Sequence, residues 1–279
     1  MTRRESAREP GNAPGQAHHA PAKRSLGQNF LVDPNIAAKI VARLGITATD
    51  TVIEIGPGRG ALTGHILAAG PRAYLALEKD RDLAARLPRE HPGVHPALID
   101  ALRLDWSRLD RLPGVKLIGN LPYNIASPLL WDICAGSELF GRGVFMVQHE
   151  VALRLCAPPG GRQYGALTAW TSAFARLEYG FKVPPTVFRP QPKVDSAVVV
   201  ITPRPAAERP EEPRALALLL KRLFSLRRKQ LAGILKPFWQ DGLPEACAAL
   251  GIEGRDRPEV LSPTQLAALA KLLKTRLPS

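Results

Sequence analysis

The sequence predicts an α/β protein, a doubly wound sheet followed by a small all-α domain. Three observations carry that prediction. Short β-branched apolar runs alternate with helix-sized stretches over the first two thirds of the chain. A polar residue recurs at the end of successive runs, at Glu54, Glu78, Asp100 and Asn120, as a doubly wound sheet places polar groups along one edge. After a proline-rich stretch (Pro203, Pro205, Pro210, Pro213) the periodicity is wholly helical. The 279 residues suit one domain of ordinary size plus a smaller one.

Residues 1–22 are rich in Pro, Gly, Ala, Arg and His without periodicity, and are expected to form a disordered basic tail. They lack the apolar stretch of a secretory signal. Arg3, Arg4 and Arg8 suit a transit peptide, whereas Glu5, Glu9, Pro10 and Gly11 do not. A larger domain is expected over 23–204. Its first helix is capped by Asp33, with Pro34 at the first position, Ile36, Ile40, Val41 and Leu44 on one face and Gly45 as stop. Thr51–Ile55 is a strand running into Gly56-Pro57-Gly58-Arg59-Gly60, and a helix pattern (Ala61, Leu62, Ile66, Leu67) is expected at once. Ala73–Leu77 ends at Glu78, Ala97–Ile99 at Asp100, and Val115–Gly119 at Asn120. Later strands are expected at Val144–Val147, Leu177–Val183 and Ala197–Ile201, where Val198–Ile201 reads as central and covered on both faces. The helical domain, 205–279, should hold helices over Ala215–Phe224, Lys229–Leu235, Pro244–Leu250 and Pro263–Leu273, the last capped by Ser262.

The polar residues suit a nucleotide-type ligand. Glycines after a strand let the backbone turn sharply and approach a ligand at a helix N-terminus. The Gly-x-Gly-x-Gly spacing differs from the dinucleotide fingerprint, and the triphosphate cradle Gly-x-x-x-x-Gly-Lys-Ser/Thr is absent. Glu78, 22 residues beyond Gly56, can accept from both hydroxyls of a ribose, and Asp100 from an adenine amino group. At the next strand end, Asn120-Leu121-Pro122-Tyr123 sets an amide oxygen and a backbone carbonyl beside an aromatic face. Two acceptors can hold the two hydrogens of one exocyclic amino group, and a base stacked on the ring gains ~1–3 kcal/mol. A simple turn with a half-buried tyrosine has the same local pattern.

Lys and Arg number 38 against 25 acids, a net charge of +13 that favours a polyanionic partner. Lys221, Arg222, Arg227, Arg228 and Lys229 form a basic cluster with no acid between them, interleaved by Leu223, Phe224 and Leu226. That pattern suits either a solvated helix face or an electrostatic clamp on an RNA helix. Three cysteines (Cys134, Cys156, Cys247) lack metal-ligand spacing and read as reduced thiols of a cytoplasmic protein. No run of 18 apolar residues would span a membrane, and no metal is expected.

These motifs resemble the small-subunit ribosomal RNA adenine N6,N6-dimethyltransferases, class I S-adenosylmethionine-dependent enzymes. The resemblance covers nearly all of the chain beyond residue 22. It rests on Ser25–Leu31 with Asp33, Glu54–Thr63, Glu78–Asp80, Asp100-Ala101, Gly119–Ile125, Met146–Gln148, Val183–Pro190 and Pro192–Val198. Two residues depart from the family pattern: His149 stands where lysine is usual, and Ile99 where glutamine is frequent. The resemblance implies a Rossmann-like methyltransferase sheet, S-adenosylmethionine as cofactor, and two adjacent adenosines of 16S RNA, or of a pre-small-subunit particle, as substrate. It implies catalysis by Asn120, Leu121 and Tyr123, with Phe188 as a second stacking surface. It assigns Asn29 and Leu31 to the methionine moiety, Gly56 and Gly58 to the glycine loop, Glu78 to the ribose and Asp100 to the adenine, with Asn120 also beside the cofactor. A cytoplasmic monomer is expected. Three alternatives stay open: a related methyltransferase for large-subunit RNA or DNA, a non-catalytic assembly or transcription factor of the same fold, and a nicotinamide oxidoreductase.

Overall fold

The computed structural model describes residues 27–277 except 113, 137–139 and 241. The basic tail expected over 1–22 lies outside the described residues. Strand β1 (Phe30–Leu31) precedes α1 (Pro34–Leu44), β2 (Thr51–Ile55), α2 (Thr63–Ala68), β3 (Ala73–Glu78), α3 (Arg81–Glu90) and β4 (Ala97–Leu98). Then come β5 (Val115–Asn120), α4 (Ala126–Gly136), β6 (Arg142–Gln148), α5 (His149–Leu155), α6 (Ala166–Phe174), β7 (Ala175–Val183), β8 (Phe188–Arg189) and β9 (Ser196–Pro203). Helices α7 (Pro213–Ser225), α8 (Leu231–Ile234), α9 (Leu243–Ala249) and α10 (Pro263–Leu273) follow.

The main sheet has seven strands in the order β4-β3-β2-β5-β6-β9-β7. The five from β4 to β6 are parallel, whereas β9 runs antiparallel to β6 and to β7. After β2 the chain builds outward through β3 and β4, then returns to add β5 on the other side. The crevice at the carboxyl ends of β2 and β5 is therefore the switch point where such sheets bind ligands. A separate ribbon pairs β1 with β8, Leu31 opposite Phe188.

The period-two alternation of the strands sorts their apolar residues to two cores. Ile53, Val115, Leu117, Phe145, Val147, Ala197, Val199 and Ile201 face one cluster. Val52, Ile118, Val144, Met146, Val198 and Val200 face the other. Strand β9 is thus central and covered on both faces, as its β-branched run predicts. Helix α1 covers the second face with Ala37, Ile40, Val41 and Leu44. Asp33 caps it by accepting from the amides of Asn35 and Ile36 at 2.9 and 3.0 Å, and Gly45 ends it at φ +60°. Leu216, Leu219, Leu220 and Leu223 of α7 and Leu266, Leu269 and Leu273 of α10 join the first cluster with Trp170 and Phe174 of α6.

Two expectations need correction. The helix after the glycine loop starts at Thr63, since positive φ at Gly58 and Gly60 keeps Ala61 and Leu62 in a turn. The helix expected from Lys229 begins at Leu231, so Arg227–Lys229 lie in the turn between α7 and α8.

Candidate active site

One cavity at the switch point collects the sequence motifs. It is bounded by the segment Gly27–Leu31, the glycine loop 56–59, the tip of β3 at Glu78, Asp100 after β4, and Asn120–Tyr123 after β5. Helix–strand packing at each strand end places the loops there, because every parallel strand points its carboxyl end at the same edge.

Gly56, Gly58 and Gly60 all have positive φ, at 67°, 58° and 77°. Side chains there would be strained, which explains the spacing of the motif. A Cβ on Gly58 would meet the Phe30 ring at 3.3 Å, and one on Gly60 would collide with the His91 imidazole. Glu78 ties this loop to the sheet: its carboxylate accepts from the amides of Gly58 at 3.1 Å and Asp80 at 2.8 Å. Burial raises its pKa from the ordinary carboxylate value, against those hydrogen bonds. Asp100 is the opposite case. Its ion pair with Lys79 at 2.8 Å, the largest influence, lowers its pKa, and it also caps the turn that follows.

Glu54 is 2% exposed and accepts from the hydroxyls of Thr63 at 2.8 Å and Tyr74 at 2.5 Å. Burial pushes its pKa up to about 7. Its carboxylate links β2 to α2 and β3, so it braces the glycine loop from beneath. Neither Thr63 nor Tyr74 carried a sequence signal for this role, because the contacts join three separate elements.

At the tip of β5, Gly119 passes so close to β2 that a Cβ would lie 2.6 Å from the Ile55 carbonyl oxygen. The Asn120 side chain then donates through Nδ2 to the backbone carbonyl of Asn29 at 3.0 Å. That bond turns the amide so that Oδ1 remains as an acceptor. The backbone of residue 29, and not its side chain, therefore orients Asn120. Leu121 is buried and donates its amide to the Met146 carbonyl at 3.0 Å, while among the described residues its own carbonyl receives no hydrogen bond. Tyr123 is half-buried beside them, its hydroxyl 2.9 Å from that of Ser196.

Leu31 and Phe188 share one core, but only the first also reaches the cavity. Leu31 borders the cavity. Phe188, its partner across the β1–β8 ribbon, is 1% exposed and packs into the second core beneath β1. Its ring does not line the cavity: Leu31 and Phe188, directly opposite in the ribbon, set their side chains on the same face, in the core that also holds Val183 and Val198.

The chain matches the family described as ribosomal RNA adenine dimethylase over residues 20–275. The chain belongs to that family. It is 52% identical over 258 residues to the ribosomal RNA small subunit methyltransferase A of Maridesulfovibrio salexigens, covering 92% of this chain and 98% of the relative. It is 51% identical over 260 residues to the protein of that name from Nitratidesulfovibrio vulgaris strain Hildenborough, covering 90% and 96%. Among solved structures, the 23S rRNA methyltransferase ErmE shares the fold at a TM-score of 0.66 and 25% identity, covering 88% of this chain and 100% of that one. A dimethyladenosine transferase from Plasmodium falciparum shares it at 0.73 and 24% identity, covering 88% and 98%. The α/β fold with a methyltransferase sheet is that of these neighbours.

In this dimethylase the basic cluster divides in two. Arg222 donates through Nε and Nη2 to the Ile234 carbonyl, at 3.2 and 3.1 Å, and sits over the Phe238 ring. Arg227 donates to the Arg162 carbonyl at 2.9 Å and faces Glu259 at 3.8 Å. Arg222 thus ties α7 to α8, and Arg227 ties the turn after α7 to the loop between α5 and α6. Lys221, Arg228 and Lys229 are exposed. Among the described residues no cluster of His, Cys, Asp and Glu could hold a metal ion, and no helix is long and apolar enough to cross a membrane.

Proposed function

We propose that this enzyme transfers two methyl groups to N6 of each of two adjacent adenosines in small-subunit ribosomal RNA. The observation that carries the reading is that the Asn120–Tyr123 turn lines the cavity that Glu78 and the glycine loop bound, where it would offer two acceptors and an aromatic face. The small-subunit assignment draws support from the names of the relatives that share half of their residues with this chain.

The residues present fit S-adenosylmethionine, which as a sulfonium supplies an electrophilic methyl. Glu78, a buried carboxylate at a strand tip, would accept from the ribose hydroxyls; Asp100 would accept from the adenine amine. Gly56 and Gly58 let the backbone approach, and Asn29 and Leu31 close the far side. Adenine N6 is a poor nucleophile because its lone pair is delocalised into the ring. Asn120 Oδ1 and the Leu121 carbonyl would each accept one N6 hydrogen and hold the nitrogen towards tetrahedral geometry, freeing that lone pair. Tyr123 would stack on the base, which must leave its helix to reach it. The proton displaced from N6 leaves to water. After one transfer N6 keeps one hydrogen, which one of the two acceptors can hold for a second.

Lys221, Arg228 and Lys229, together with the overall positive charge, support contact with RNA phosphates. The proposal includes a monomer acting in the cytoplasm, where the three free thiols stay reduced. The test is transfer of labelled methyl to unmodified small-subunit particles, large-subunit RNA and DNA in parallel. Label confined to N6,N6-dimethyladenosine in the small-subunit RNA is expected; label in large-subunit RNA or DNA, or none, would overturn the reading.

A further inference from the structure

Ser196 opens β9 between two neighbours: it is opposite Gln148 of β6 and Val183 of β7. Its side chain is wholly buried. Ladders on both sides fix its backbone, and so the Cβ that carries the hydroxyl. Tyr123, by contrast, stands on the turn between β5 and α4 and is half-exposed to the cavity. The two hydroxyls meet at 2.9 Å, across 73 residues of sequence.

We infer that Ser196 is a positioning residue: it holds the Tyr123 ring in the one rotamer that offers its face to the target adenine. The inference rests on the stacking role proposed for Tyr123. The phenol oxygen is the atom farthest from the backbone, so a change in the first side-chain torsion swings it well beyond hydrogen-bond reach. Of the staggered rotamers open to an aromatic side chain, the bond to Ser196 therefore selects one. A base stacks productively only on a ring already in place; otherwise the cost of ordering that ring falls at the moment of reaction. Ser196 touches no substrate in this scheme. The neighbouring ion pair of Lys182 with Asp195 at 2.8 Å, and the His149 amide donated to the Asp195 carbonyl at 3.0 Å, hold the strand that presents it.

The test is a double-mutant cycle of Ser196→Ala and Tyr123→Phe in the full chain, read in two ways. Removal of one buried hydrogen bond is expected to slow single-turnover methyl transfer about threefold to tenfold in Ser196→Ala, with S-adenosylmethionine affinity unchanged. In the Tyr123→Phe background, Ser196→Ala should slow it no further, since the bond is already gone. The second reading is the ring resonance of Tyr123 in protein labelled at its four tyrosines, assigned by its disappearance in Tyr123→Phe. Ser196→Ala should shift and broaden it without moving the other three. Equal slowing in both backgrounds, or an unchanged Tyr123 resonance, would overturn the inference. Because the resonance needs no turnover, it decides the anchor independently. A wild-type protein that methylates no RNA would instead refute the proposed function.

Discussion

Replacing Asn120 with alanine separates what its two amide atoms do. Oδ1 is proposed as one of two acceptors for the N6 hydrogens, and Nδ2 donates to the Asn29 carbonyl at 3.0 Å. The oxygen acts only as N6 becomes tetrahedral, and removal of one such preorganised group costs ~10²–10³ in rate, or about 2.7–4 kcal/mol. The nitrogen acts on the ground state. Its removal frees the Asn29 carbonyl and loosens the segment beside the cofactor, worth ~0.5–1.5 kcal/mol or a twofold to tenfold weakening of S-adenosylmethionine binding. The weakening stays small because Gln28 also anchors that segment to Asp80 at 3.0 Å and β1 pairs with β8. Single-turnover transfer to small-subunit particles and calorimetric titration of the cofactor measure the two effects separately. Asn120→Asp supplies the contrast. It keeps an acceptor oxygen but sets a second oxygen against the Asn29 carbonyl, so it should weaken cofactor binding more than alanine does. An Asn120→Ala protein that transfers methyl at the wild-type rate would remove the turn from the mechanism.

Glu78→Ala should weaken S-adenosylmethionine binding by removing the proposed ribose acceptor, and should also destabilise the fold. Orphaning the Gly58 and Asp80 amides costs ~1–3 kcal/mol each, and urea unfolding beside calorimetry would expose a variant changed in neither. Replacing Lys221, Arg228 and Lys229 with Gln should lower the salt slope of RNA binding by ~0.7–0.9 for each phosphate no longer neutralised, with stability unmoved. The same change at Arg222 or Arg227 should lower the melting temperature, since these two donate to the Ile234 and Arg162 carbonyls; an unaltered salt slope in the first variant would leave those bases as a solvated surface. The Glu54 carboxyl, held at about 7 instead of 4.5, keeps its proton in the folded chain where the unfolded chain has released it. Stability should therefore fall as pH rises from 4.5 towards 7, by up to roughly 3 kcal/mol, and level off above. Glu54→Gln should lack that slope, and parallel slopes for the two proteins in urea titrations would contradict the assignment.

Local chemistry was readable in the sequence wherever it depends on neighbours in the chain. The Asp33 cap, the Gly45 stop, the Ser262 cap of α10 and the left-handed glycines of the loop are set by bonds and torsions a few residues long. Apolar β-branched runs such as Val198–Ile201 carried the strands, because a sheet covered on both faces needs apolar side chains at every position. Even the cavity wall was legible, since parallel strands bring their carboxyl ends, with Glu78, Asp100 and Asn120, to one edge. Contacts between elements far apart in the chain were not. Nothing in the residues adjoining Asn120 shows that the carbonyl of Asn29, 91 positions earlier, orients its amide, or that Ser196 meets Tyr123. Phe188 lies in the core beside its ribbon partner Leu31, although the family resemblance implied a base-stacking surface. The basic cluster looked uniform in one dimension, and only packing divided it into arginines that bond backbone carbonyls of distant segments and bases that face solvent. Hydrogen bonds and pairing across the fold depend on relative placement, which sequence spacing does not encode.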